Sequence, residues 1–485
     1  MKSIGKVLFA LVICFFAIIL LRTFMFSPEY IKYDPPPGIP LNSEVLAGHL
    51  ADAVKIPTVS YENTDSVDYH QFGRLHNFLK TTYPRIFSEL DVESVNTHSL
   101  LIIWKGKNLE LPSMVLMAHQ DVVPATDSEW TYPPFEGFID DSFIWGRGTL
   151  DDKSTMIAIL EAVSYLIEMG YRPERTIYLV FGHDEEIGGQ AGAKKIAELF
   201  LERDIRPGMI LDEGMAVISN IMPGLDRPVG LIGIAEKGYV TIELTASSDG
   251  GHSSMPSKHS AIGMLSEALV SLKNDPPKAG LDGATKLMFE AVGPYMSFSY
   301  RLIFANTWLF EPILIRQLEK QASTNALIRT TVALTTIQGG DKENVLPTTA
   351  SASVNFRIKP GDTIESIIDY VEETLCCTGV DITNVNREFA SEPSAVSSVG
   401  DDMYNLLAST ISVTFPDAVL APGLVIGGTD SRHFELVSDY IYRFAPLNLN
   451  ADDLKRIHGV DERISKTDFA NMVRFYVRLI KGRVE

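Results

Sequence analysis

Cysteine is scarce. The chain has three, Cys14 and the adjacent Cys376 and Cys377, among 485 residues, which is too few and too badly spaced for a disulfide framework or a thiolate metal site. Any metal must be held by His, Asp or Glu. Runs of Lys and Arg are also missing, and the net charge of −20 with a pI near 5.0 argues against a phosphate-binding stripe and so against nucleic acid as a partner. No Asn-x-Ser/Thr sequon occurs, so N-glycosylation gives no pointer to a compartment. Repeats and low-complexity tracts are absent as well. What the chain has is apolar content, 45% of its residues, enough for a large core in two or three domains and too much for a disordered scaffold.

The start, "MKSIGKVLFALVICFFAIILLRTFMFSPEY", places fifteen uncharged apolar or small residues, Val7 to Leu21, between Lys6 and Arg22. That is a targeting segment. No small-residue cleavage site follows it, and with Lys6 and Arg22 snorkelling, Ile4 to Phe26 is long enough for a bilayer core of about 30 Å. Residues 1–26 therefore read as a signal anchor, with a cleaved signal peptide as the alternative. Lys2 and Lys6 ahead of the segment place the remainder on the lumenal or extracellular side. The expectation is a single-pass membrane protein of the secretory pathway, or a secreted one if the segment is removed. Residues 27–41, including "SPEYIKYDPPPGIP", read as a Pro-rich extended linker.

From residue 42, apolar strands such as "SMVLMAHQD" and "RTIYLVFGHDE" alternate with helical stretches such as "STMIAILEAVSYLIEMG". This rhythm predicts an α/β fold, a mainly parallel sheet covered by helices. Near Lys237 the rhythm changes: "GYVTIELTAS", a helix around 260–273, "IRTTVALTTIQGG", "ASASVNFRIKPG", "TIESIIDYVEETL" and "DITNVNRE" give a β-α-β-β-α-β order. Apart from an insertion around 279–325, that is a ferredoxin-like α+β unit. A first domain at 42–237 and 390–485 is thus predicted to be interrupted by a second at 238–389.

Three strands end in candidate metal ligands: His119 and Asp121 in "VLMAHQDVV", Asp184, Glu185 and Glu186 in "LVFGHDEE", and Asp212 and Glu213 in "MILDEG". The loop "WGRGTLDDKS" adds Asp151 and Asp152. Sites in open α/β sheets form beyond the carboxyl ends of strands, so these groups are expected in one crevice. Singly, each has an ordinary explanation as a helix cap, a solvated strand end or a core histidine. Together they form a cluster of carboxylates that repel one another unless a cation sits between them. Imidazole and carboxylate ligands suit zinc, and manganese or cobalt fit the same set. The number of acids is enough for two ions sharing a bridging carboxylate.

In order and spacing, "MAHQDVVP", "WGRGTLDDKSTMIAILEA", "HDEEIGG", "ILDEG", "DGGHSSMP", "NFRIKPG", "GGTDSRHF" and "RIHGVDERIS" resemble the co-catalytic zinc family of aminoacylase, carnosinase and carboxypeptidase S. The likeness runs over nearly all the chain after residue 42. It is strongest to the carboxypeptidase S branch, which includes enzymes that make and hydrolyse N-fatty-acyl amino acids. The resemblance implies two Zn2+ per subunit. His119 resembles a ligand to one ion, with Asp121 orienting it, and Asp151 the bridging carboxylate, followed by a cis peptide bond in relatives. Glu185 resembles the general base, and Glu186 and His458 ligands to the second ion. Asp212 is expected to complete the first ion's shell, with Glu213 as its substitute. His433 is the rival to His458, and His183 reads as structural. The inserted domain becomes a lid and dimerisation domain. In it, His252 resembles the histidine that stabilises the oxyanion across a homodimer, and Arg357 the arginine that grips a substrate carboxylate. Asn325, Gly428 and Thr429 are further polar contacts to substrate.

The implied reaction is hydrolysis of the amide bond of an N-acyl, in this branch N-fatty-acyl, amino acid, which the same catalyst can run in reverse. The alternatives are a carboxypeptidase or dipeptidase acting on short peptides, and a non-catalytic, membrane-tethered binding protein on the same scaffold. The aromatic stretch "LMFEAVGPYMSFSYRLIFANTWLFEPILI" suits either an acyl-chain groove or core packing.

Overall fold

A computed structural model of the chain describes residues 2–28, 38–219, 222, 224–387 and 389–482. Most of the linker expected at 27–41, residues 29–37, lies outside the described residues. The N-terminal segment is one helix, Lys2–Met25, and its stretch Ile4–Met25 is long and apolar enough to cross a membrane.

The main body is a ten-stranded sheet. At its centre, Met114–His119 lies between Ile177–Gly182 and Met209–Asp212 and parallel to both, and Ile441–Arg443 continues the parallel run beyond Met209–Asp212. Every residue of Met114–His119 is buried, as befits a strand covered on both faces. One face carries the helices Ser43–Val54, Lys153–Glu168 and Lys466–Lys481, whose Leu50, Ile157, Ile159, Phe469 and Phe475 share a core with Leu116 and Leu179. The other is covered by Ala193–Glu202, where Ile196 and Phe200 pack on Val115, Met117 and Val180. The expected parallel sheet holds for this centre. Toward the edges the sheet is mixed: Asp91–Val95 and Ser99–Trp104 pair antiparallel, and Val229–Glu236 runs antiparallel to Ile441–Arg443 but parallel to Val419–Val425. The first of these pairs is joined by Asn96 and Thr97, both at positive φ (47° and 73°), a turn too short for the crossover that a parallel pair needs.

The inserted unit has the expected order. Its four strands stand as Thr331–Gly339, Thr349–Ile358, Gly238–Ser247 and Val380–Val385, all pairs antiparallel. Alternate residues Val240, Ile242, Leu244 and Ala246 point inward against the helices Ala261–Asn274 and Ile364–Leu375. One part of 238–389 does not belong to this lid by packing. Helices Gly283–Val292, Phe298–Ala305, Thr307–Leu318 and Ala322–Ile328 bury Met288, Val292, Phe304 and Leu314 against Val229, Leu231, Val419 and Ala421 of the large sheet. The lid sheet already buries its inner face on its own two helices, so the insert's apolar residues pack on the edge of the large sheet instead.

Candidate metal centre

The parallel central strands end on one side of the sheet, and their last residues meet there. Asp151 stands in the middle. Its Oδ1 lies 2.9 Å from His119 Nε2 and its Oδ2 lies 3.0 Å from His458 Nε2. His119 Nε2 is also 3.3 Å from Glu213 Oε1, and His458 Nε2 is 3.1 Å from Glu186 Oε2. Two groups that could each hold a cation result, His119, Asp151 and Glu213, and Asp151, Glu186 and His458, with Asp151 in both. The peptide bond between Asp151 and Asp152 is cis.

Local structure explains how neighbours in sequence reach one crevice. After the strand Ile177–Gly182 the chain turns at Glu185–Ile187, so the two glutamates need not point to opposite faces as they would on a strand. Gly188 and Gly189 close the turn at φ 102° and 67°, and a Cβ on Gly189 would sit 2.1 Å from Asp430 Oδ1. Asp121 anchors the turn by accepting the amide N–H of Glu185 and of Glu186, at 3.1 and 3.2 Å, together with the Ser60 hydroxyl at 2.6 Å. The Asp121 carbonyl lies 2.9 Å from His119 Nδ1, closer than its carboxylate at 3.4 Å. Asp121 therefore orients the imidazole mainly through its backbone.

A second clasp fixes Asp151 against His458. Glu462 is fully buried and pairs with Arg147 at 2.5 Å. Its other oxygen accepts the amides of Gly148, Leu150 and Asp151, while Arg147 donates to the carbonyls of His458 and Gly459. His458 itself sits at φ 59°, and its side chain is half exposed where that of His119 is sealed.

The electrostatics call for a cation. Among the described residues, no Lys or Arg forms an ion pair with Asp121, Asp151, Glu185, Glu186 or Glu213. Burial pushes Glu185 well above the usual carboxylate range, with Glu213 adding to the effect and His119 opposing it. Burial and then Asp151 raise Glu213 to about 8. His458 is raised to about 10 by its hydrogen bonds to Asp151 and Glu186. In His119 burial opposes the charged form, but Glu213, Asp121 and Asp151 outweigh it and hold the ring well above its ordinary value. Without a metal, protons take the place of positive charge here. Glu186 Oε1 is buried with no hydrogen-bond partner, which suits a ligand atom. An all-imidazole and carboxylate donor set fits zinc.

Other expected residues fall elsewhere. Glu213, not Asp212, stands beside His119, while the Asp212 carboxylate accepts the amides of Glu213 (3.0 Å) and Ser431 (2.8 Å). Thr429 is buried and bonds through its hydroxyl and amide to Glu236, which pairs with Arg443 at 2.9 Å. Gly428 backs onto Arg432, whose Nη1 a Cβ there would meet at 2.6 Å. Asn325 lies half-buried in the helical insert. Arg357 covers the Tyr239 ring at 4.8 Å, and burial, partly offset by Tyr239, lowers its pKa, with Arg432 acting the same way. His252 is exposed at the lid, its Nδ1 bonded to Ser254. His433 bonds the Gly188 carbonyl and His183 the Ser99 hydroxyl, so neither joins the cluster. Arg147 and Glu462 both stand inside motifs quoted above, each four positions from Asp151 or His458, but a charged residue at that spacing gives no pattern that separates a positioning role from a surface one.

The sequence pattern of "Peptidase family M20/M25/M40" matches residues 115–482. The chain belongs to this family. M20 metallo-hydrolases that resemble it include a probable carboxypeptidase S-like 2 of Dictyostelium discoideum, 43% identical over 90% of this chain and 85% of that protein. An N-fatty-acyl-amino acid synthase/hydrolase of Xenopus tropicalis is 38% identical over 99% of this chain and 96% of that protein. Among solved structures, human carnosine dipeptidase 1 shares the fold at a TM-score of 0.64 and 16% identity, over 92% of this chain and 99% of that one. The M20 chain is thus an enzyme that hydrolyses amide or peptide bonds, and the non-catalytic binding protein is set aside.

Proposed function

We propose that this M20 enzyme is a dinuclear zinc amidohydrolase that cleaves, and in reverse forms, the amide bond of N-fatty-acyl amino acids. His119, Asp151 and Glu213 would hold one ion and Asp151, Glu186 and His458 the other. Bound there, zinc supplies Lewis-acid activation of water and of the scissile carbonyl. The chain's own residues do the rest. Glu185 takes the proton from the attacking water and returns it to the amide nitrogen of the departing amino acid. Arg357, beside Arg432, grips the substrate carboxylate. His252 is exposed on the lid, and in this proposal it acts on the oxyanion of a second copy, which makes a homodimer part of the reading.

The observation that carries the acyl specificity is the end-to-end likeness to the frog synthase/hydrolase, over 99% of this chain and 96% of that protein. The test compares N-oleoyl-phenylalanine with simple dipeptides on purified, zinc-loaded full chain. Faster turnover of the acyl amino acid supports the proposal. Preference for dipeptides supports the second reading, a carboxypeptidase, which the 43% identity to the slime-mould relative favours.

A further inference from the structure

The N-terminal helix is not a free tether. Its second half packs on the helical insert, and the contact is polar at its centre. Asn306, fully buried where Phe298–Ala305 meets Thr307–Leu318, donates through Nδ2 to the Thr23 hydroxyl at 3.2 Å and the Ile19 carbonyl at 3.3 Å. Arg22 Nε donates to the Ala305 carbonyl at 3.1 Å. About two turns further back along the helix, the Phe15 ring meets Trp308 edge-on, with centroids 6.1 Å apart. Side-chain amide and hydroxyl bonds of this kind hold helices together in lipid, where burying apolar surface gives no drive to associate.

The geometry sets a depth. Seven residues of helix separate Arg22 from Phe15, about 10 Å at 1.5 Å per residue. If the helix crosses the bilayer with Arg22 at the headgroups, Trp308 lies about 10 Å inside a hydrocarbon leaflet of about 15 Å. The sequence matches that position. Between Arg301 and Glu311 the hairpin reads "LIFANTWLF", nine residues without a charge. Its inner face packs on the large sheet through Phe304 and Leu314, while Phe298, Trp308 (54% exposed) and Ile313 (60% exposed) face outward, continuous with the apolar helix. Backbone at the turn is satisfied: the Asn306 amide donates to the Ile303 carbonyl, and the Asn306 carbonyl accepts from Leu309 and Phe310. A break between two helices is tolerated at membrane depth only under that condition.

We infer that Phe298–Leu318 is a re-entrant membrane hairpin, its tip sunk into the outer leaflet and locked to the anchor by Asn306, Thr23 and Arg22. The catalytic body would then be held close against the lipid surface at this edge, not suspended on the linker. The inference concerns lipid contact and holds whether the substrate is an acyl amino acid or a peptide.

The test reconstitutes the full chain into phosphatidylcholine vesicles with brominated acyl chains and compares tryptophan emission with that of Trp308→Phe. Trp104 and Trp145 are buried, Trp130 is half-buried against Arg147, and all three are common to both proteins, so the difference isolates position 308. The expected result is at least a twofold quenching of the Trp308 component by brominated over plain lipid. As a second measurement, Ile313→Cys is treated with an impermeant maleimide, with native Cys376 and Cys377, both exposed, as internal reference. Position 313 should label only after detergent, while the native pair labels in intact vesicles. Unquenched Trp308 emission, or labelling of position 313 as fast as the native pair, overturns the inference. So does protection that follows protein concentration instead of lipid, which would mark the face as a contact between copies, or recovery of membrane-derived protein that lacks residues 1–26.

Discussion

Replacing Glu462 with alanine should damage both stability and the metal centre, because one carboxylate holds together the loops that carry Asp151 and His458. The change strips Arg147, whose side chain is 3% exposed, of its counter-charge, and leaves three amides, of Gly148, Leu150 and Asp151, without their acceptor. Breaking a buried pair from one side costs about 3–5 kcal/mol. Orphaned amides cost about 1 kcal/mol or more each, but water entering the gap would serve all these groups at once, so the terms overlap and about 4 kcal/mol is the working figure. For a cooperative unit of roughly 300 residues, unfolding entropy is about 0.6 kcal/mol/K, so Tm should fall by about 6 °C. Loops released from each other also misplace Asp151 and His458, and zinc affinity should drop by about 10–100-fold. Calorimetry of the metal-free chain and a competitive zinc titration read the two effects separately. Glu462→Gln, which keeps an acceptor, should lose less, and Arg147→Met with Glu462→Gln should recover much of the stability by removing both charges. A Glu462→Ala protein that melts within about 1 °C of the parent and binds zinc normally would refute the clasp.

Three further outcomes follow from the same geometry. Glu185→Gln should retain its metal and lose about 10²–10⁴-fold in kcat; near-normal turnover would remove Glu185 from the base role. Glu213→Ala should lower metal content measured by atomic absorption, whereas Asp212→Asn, still able to accept an amide, should keep it, and the opposite ranking would restore Asp212 as the ligand. In the metal-free protein His458 has a folded pKa of about 10 against an ordinary 6.5, so its stabilising contribution is complete below pH 6.5 and is lost as pH rises through about 10. Urea midpoints of the metal-free chain should therefore fall more steeply over that window than those of His458→Gln, and zinc binding at neutral pH should release protons in calorimetry run in two buffers.

The layered fold was legible because its signals are local: uninterrupted apolar strands, then a strand with period-two alternation where the lid begins at Gly238. His119, Asp151, Glu186 and His458 could be named because each stands within a short motif, and their side chains do converge. The choice between Asp212 and Glu213 could not be made in this way. In the structure Ser431, 219 residues further on, donates its amide to the Asp212 carboxylate, and Glu213 stands beside His119. The hold of Glu236 on Thr429 was hidden likewise, since the two lie 193 residues apart. The insert's attachment to the large sheet was hidden too, since an apolar helix does not declare which of two sheets it will cover.

The clasp between Arg147 and His458 bridges 311 residues, and that separation has a temporal side. At about 5–20 residues per second, a ribosome needs some 15–60 s to travel that far. Throughout that interval the half of the centre made from Asp151, Glu186 and His119 has no His458 to face it and no Glu462 to hold its loop. The clasped arrangement can therefore form only late in synthesis, because chain order places its closing parts, His458 and Glu462, 311 and 315 residues after Arg147.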